Sequence, residues 1–196
     1  MATAAHWTAA AVFALSCAAP AWAAPKTGID YDCDTASGHF SELDLPAPGD
    51  TVRVTGRIRA NQIEPVGKWT PIARVTLARA TEASGKSPTD LAGFVLYAFY
   101  RKDIDPKATD SKAKVQLVKW DERVADVQKD HEFFGMTAFG ETLDFSIALA
   151  NGIATVKIGG EERAFALNAP DPMLRLICST GEFLITDLRM ERPTTP

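Results

Sequence analysis

Leu143-Asp-Phe-Ser-Ile-Ala-Leu-Ala-Asn151-Gly152-Ile-Ala-Thr-Val-Lys-Ile-Gly159-Gly160-Glu-Glu-Arg-Ala-Phe-Ala-Leu167 is the stretch that decides the fold. Leu143, Phe145, Ile147 and Leu149 alternate with small or polar residues. That is the period of a strand with one face in a core. Asn151-Gly152 interrupts the run, a second one covers Ile153 to Ile158, and Gly159-Gly160 leads into Arg163 to Leu167. Asn-Gly and Gly-Gly supply the positive φ angles that tight hairpins require. The stretch therefore predicts a three-stranded meander over 143–167.

The same period extends outward. From Thr51 to Ala60, Val52, Val54, Gly56 and Ile58 point one way; Arg53, Thr55, Arg57 and Arg59 point the other. Arg74 to Ala80 repeats the pattern with Val75 and Leu77 inward, and Lys114 to Trp120 alternates again. Gly93 to Arg101 carries apolar residues on both faces, as expected of a central strand or of one whose second face binds something. Met173 to Cys178 and Glu182 to Met190 read as two closing strands. The connections at 82–90, 102–113 and 168–172 are rich in Pro, Gly and Lys, the composition of surface loops. Val124, Val127, His131 and Phe134 have helical spacing, so a short helix is expected over 122–134. About nine to eleven strands without a long helix imply an all-β, antiparallel two-sheet sandwich.

Asp144 to Gly152, Val156 to Gly160 and Phe183 to Arg189 together resemble the C-terminal meander of concanavalin A-like lectin/glucanase and laminin G-like jelly rolls. The resemblance implies a jelly-roll fold. It does not dictate an activity, because this fold hosts many.

The first 24 residues read as a cleavable signal peptide. Ala9 to Ala19 is apolar or small, Pro20 ends the run, and Ala21-Trp22-Ala23 suits a signal peptidase. The run has about eleven residues, where a spanning helix needs about 20, so no transmembrane segment is expected. Cys17 follows Leu15-Ser16, an imperfect lipidation signal. Residues 25–191 form the domain, and 192–196 are expected to be a disordered end. The expected location is the periplasm or the outside of the cell.

A net charge of −4 leaves the domain mildly acidic and argues against nucleic acid as a partner. Once Cys17 departs, Cys33 and Cys178 remain, an even pair in an oxidising compartment, and a disulfide between them is expected.

Candidate chemistry is sparse. Resemblance to family-16 glucanases would require Glu-x-Asp-x-x-Glu on one strand. Here Glu42-Leu-Asp44-Leu-Pro46-Ala47 puts Ala at the third carboxylate, and Pro46 is expected to interrupt the strand. These acids, like Glu141 and Asp144, read as solvated surface groups. His131-Glu132 lacks the second His of a zinc-protease helix, and no Walker, Rossmann or Gly-x-Ser-x-Gly motif is present. Asp103, Asp105 and Asp110 offer hard oxygens to calcium, but Lys102, Lys107, Lys112 and Lys114 surround them, so no cofactor is expected.

Aromatic residues are the best remaining clue, since sugars stack their C–H faces on Trp and Tyr. Trp69 lies near a turn; Tyr97 or Tyr100 and Trp120 lie on or beside strands, where Trp120 and Phe99 read first as core. Arg53, Arg57 and Arg59 would span roughly 20 Å of one face. They could meet an acidic glycan, or pair with neighbouring acids across strands. The reading is an exported, non-catalytic binding domain for a glycan or another envelope component. Its alternative is a structural or protein-interaction role, and after that a hydrolase or lyase.

Overall fold

The structure, a computed structural model, describes residues 28–63, 69–80, 90–100, 111–121 and 133–192. The leader, Cys17, the helical spacing over 122–132, the Asp103–Asp110 loop and residues 193–196 lie outside the described residues. All ten elements are strands: β1 Ile29–Pro46, β2 Val52–Ile63, β3 Ile72–Arg79, β4 Asp90–Tyr100, β5 Ser111–Asp121, β6 Phe133–Ala138, β7 Leu143–Ala150, β8 Ile153–Ile158, β9 Glu161–Ala166 and β10 Pro172–Glu191. Phe133 and Phe134, read from sequence as the end of a helix, begin strand β6. Among the described residues no helix is long and apolar enough to cross a membrane.

The meander forms as its sequence dictates. Asn151 and Gly152 adopt φ of 51° and 72°, and Gly159 and Gly160 adopt 58° and 88°. These are left-handed angles that match a hairpin turn to the twist of its strands. Leu143, Phe145, Ile147 and Leu149 are buried as the alternation requires.

The two layers of the sandwich turn out to be one continuous antiparallel sheet, ordered β6-β5-β4-β3-β10-β2-β7-β8-β9 with β1 paired to β10. Continuity comes from β10. Met173 to Cys178 and Glu182 to Met190, expected as two strands, are halves of a single 20-residue strand. Pro172–Ser179 pairs with β3, and Gly181–Glu191 pairs with β2. The first leaf is thus β6-β5-β4-β3 with the start of β10; the second is the end of β10 with β2-β7-β8-β9. Strand β1 runs along both halves of β10.

A bend separates the leaves. Thr35 faces Gly181 and Phe40 faces Ser179, so residues 36–39 of β1 oppose Thr180 alone. Thr180 is fully buried and sits at φ 59°, a left-handed angle costly for a β-branched residue. Local hydrogen bonds hold it: the Gly38 amide donates to its Oγ1 at 3.3 Å, and Thr35 Oγ1 donates to the Gly181 carbonyl at 3.3 Å. Gly181, at φ 142°, leaves no room for a Cβ, which would lie 2.6 Å from the Gln62 carbonyl oxygen.

The main core fills the space between the leaves. Phe94 of β4 meets Phe145 of β7 edge to face, with ring centroids 5.2 Å apart. A second, smaller apolar cluster lies on the outer side of the first leaf: Ala78, Leu91, Val95, Val118 and Met173, with Ile72 and Tyr97 against it. That is why β4 is apolar on both faces. Cys33 and Cys178 are joined, with Cα atoms 6.4 Å apart.

Candidate functional site

Strand period and register place a row of charged side chains on the outer face of the first leaf, beside its apolar cluster. Asp44 of β1 stands opposite Arg175 of β10, which stands opposite Thr76 of β3. Glu42 stands opposite Ile177, which faces Arg74, which faces Val95 and then Gln116. In the next row, Ser179, Ile72, Tyr97, Lys114 and Met136 follow one another across the strands. These rows place Arg74, Arg175, Lys114, Tyr97 and the carboxylates of Glu42 and Asp44 on one sheet face, across five adjacent strands.

Arg175 is 7 % exposed and is held by β1: its Nη2 lies 2.5 Å from Glu42 Oε1, and its Nε lies 3.8 Å from Asp44 Oδ1. Burial raises the Asp44 carboxyl above its ordinary 3.8; Arg175 opposes the shift, and Glu42 adds to it by its charge and by a hydrogen bond. These acids are not the freely solvated groups their sequence suggests. Nor does Pro46 interrupt the strand: it is the last residue of β1, on the sheet's outer edge, where a missing N–H is tolerated.

Arg74 differs from Arg175. Nε of each is buried with no hydrogen-bond partner, but among the described residues only Arg175 of the two is ion-paired, with Glu42 and Asp44. Burial pushes the Arg74 guanidinium below its ordinary value; Tyr97 opposes that and Arg175 reinforces it. A guanidinium has five donors in a planar fork that matches carboxylate, sulfate and phosphate. Lys114 Nζ sits 5.0 Å from the Tyr97 ring centroid, which fixes both side chains at the edge of the charged row.

The residues singled out from sequence are dispersed. Arg53, Arg57 and Arg59 lie on β2, on the outer face of the second leaf, pointing away from Arg74 and Arg175. Arg57 is ion-paired across strands with Asp187, and Asn61 nearby donates to Glu182 at 2.6 Å. Trp69 is 54 % exposed and packs beside the bend, where a Cβ on Gly38 would lie 3.1 Å from the indole. Phe40, two residues further along β1 and 70 % exposed, stands opposite Ser179 on the outer face of the first leaf. Tyr100 ends β4 opposite Ser111, and Trp120 pairs with Leu91. Among the described residues no three His, Cys, Asp or Glu side chains converge on a metal position. A depression of about 260 Å³ between Asp50, Asn151 and Asn168 lies at the turns, apart from the charged row.

Arg74 and Arg175 escaped the sequence reading. The signal was present: Ala73-Arg-Val75 and Leu174-Arg-Leu176 each set an Arg between two inward apolar residues.

No protein-family model matches the chain and no curated protein matches its sequence. Solved structures share its fold. An alginate lyase from Alteromonas sp. 272 is similar with a TM-score of 0.50 and 9% identity, over 85% of this chain and 88% of that one. A polysaccharide lyase of family 18, aly-SJ02, is similar to the same degree: TM-score 0.50, 9% identity, 85% and 88% coverage. The Ca2+-bound exoplasmic/lumenal domain of VIP36 superposes less closely, with a TM-score of 0.45, 12% identity and coverage of 84% and 79%. The likeness is one of fold, and the fold is a concanavalin A-like jelly roll.

Proposed function

We propose that this chain is an exported domain that binds an acidic glycan on the outer face of the first leaf, without cleaving it. The observation that carries the reading is Arg74, half-buried with its Nε buried and its donor unused, set beside Arg175 and Tyr97. Burying such a group without an acceptor is costly, and an anionic ligand supplies the acceptor. Tyr97, Trp69 and Phe40 offer apolar surface on or beside the same face for sugar rings to stack on. Solved structures of this fold include lyases of polysaccharides, which supports a glycan as the ligand class. The Cys33–Cys178 bridge supports a location outside the reducing cytosol.

The site moves the expected glycan contact from the Arg53–Arg59 row to Arg74, and keeps Trp69. An array of neutral, carboxylated and sulfated glycans tests it, probed with the chain lacking its first 24 residues. Binding confined to anionic glycans, lost in Arg74→Ala and weakened in Trp69→Ala, is expected. Binding unaffected by Arg74→Ala would overturn the site, and silence across the array would favour a protein partner in the envelope. Release of shorter chains from a bound glycan would assign catalysis instead.

A further inference from the structure

We infer that Arg175 is a pH-gated half of the anion-binding face: Glu42 and Asp44 occupy its guanidinium at neutral pH and yield it to ligand when the pair takes up a proton. The inference rests on the binding reading above and adds regulation to that site.

The geometry is specific. Residues 42 and 44 are two apart on an extended strand, so both carboxylates share the outer face. Asp44 stands directly opposite Arg175, and Glu42 contacts the same guanidinium. Like charges this close resist ionising together, and a single proton between them removes the repulsion. Asp44 faces Glu42 on its own strand, Arg175 on β10 and, one strand further, Thr76 on β3, with Arg74 in the neighbouring row of Glu42 and Ile177. In this leaf β10 is the only strand among the described residues that pairs with β1.

The two arginines therefore do different work. Among the described residues Arg74 has no carboxylate beside it and is ready for an anion at any pH. Arg175 already holds two internal anions that imitate a ligand's own. When the pair is protonated, its hold on Arg175 weakens and a bound anion can bridge both guanidiniums. Asp44 is the carboxyl placed to take the proton, since burial and Glu42 lift it above 3.8. With a ligand of fixed charge, affinity then rises as pH falls toward that carboxyl's range.

The test is calorimetric titration with a dextran sulfate oligosaccharide, whose sulfates stay ionised throughout, between pH 7.5 and pH 4. Wild type is expected to tighten by about tenfold across that span, the size of one charge-assisted contact. Asp44→Asn is expected to bind tightly already at pH 7.5 and to show a flat profile. Should that variant fail to fold, Glu42→Gln removes the proton-sharing partner and flattens the profile likewise. A flat wild-type profile, or an unchanged slope in the variants, overturns the gate. The binding reading survives that result if Arg74→Ala still abolishes binding at pH 7.5. Absence of binding by wild type at every pH overturns both.

Discussion

Cys33 lies two residues before Thr35, and Cys178 two residues before Thr180, so their bridge spans the core side of the bend shared by β1 and β10. One cysteine belongs to each leaf: Cys33 pairs with Phe183 and Cys178 with Ser41. The bond thus clamps the angle between the leaves, and Thr180, in its left-handed conformation, sits at the clamped corner.

Removing that clamp should cost more than removing an ordinary surface crosslink. The bridge closes a sequence separation of 145 residues, for which chain entropy allows about 5 kcal/mol. Cys33→Ser with Cys178→Ser is expected to lose about 2–5 kcal/mol in urea unfolding at unchanged m-value. Reductant should reproduce the loss in wild type and leave the double variant unaffected. An equal midpoint for oxidised and reduced wild type would show that the bend holds without its clamp.

Gly56 faces Phe145 across β2 and β7, and a Cβ at Gly56 would lie 2.8 Å from Phe145 Cζ. Gly56→Ala must therefore displace the ring that packs on Phe94, at roughly 1–3 kcal/mol. Phe145→Leu is expected to make the added methyl tolerable, so the double variant should be more stable than the two single losses sum to. Additive losses in thermal unfolding would place the strain elsewhere.

Glu141 caps the turn between β6 and β7. It accepts from Thr137 Oγ1 at 2.5 Å and from the Ala138 amide at 3.0 Å. Both hydrogen bonds favour the ionised carboxylate and hold it below its ordinary 4.5. With the folded value depressed, the turn's contribution to stability is present above the unfolded value of 4.5 and is lost as pH falls through the folded one. Titration followed by carboxyl carbon shifts should place the Glu141 midpoint below 4.5, and Thr137→Ala should return it upward. A midpoint that ignores Thr137→Ala would mean that the backbone amide alone sets it.

Much of the fold was legible because its signals are local. Asn151-Gly152 and Gly159-Gly160 force turns regardless of context, and the alternation of 52, 54 and 58 names its own buried face. The bend is not local. Thr180-Gly181 looks like a gap between two strands, whereas pairing with β1, β2 and β3 carries the chain straight through it. Strand β1 hid for the same reason. Its edge position lets Asp32, Asp34, Glu42 and Asp44 face outward, which leaves few apolar residues to mark its buried face along 18 residues. The candidate site was the least legible part. Arg74 and Arg175 lie 101 residues apart in sequence and become neighbours only through the β3–β10 register. Trp69 was found from its turn, since exposure near a turn is a local property.

The partnership of β1 with β10 also sets the order in which the protein can be finished. Of the ten strands among the described residues, the first is paired along almost its whole length with the last. Neither leaf has its inner boundary until β10 has left the ribosome, so a growing chain holds no completed half to fold on. The closing strand and the disulfide are therefore completed together, and oxidation can fasten the bend only once β10 is in place.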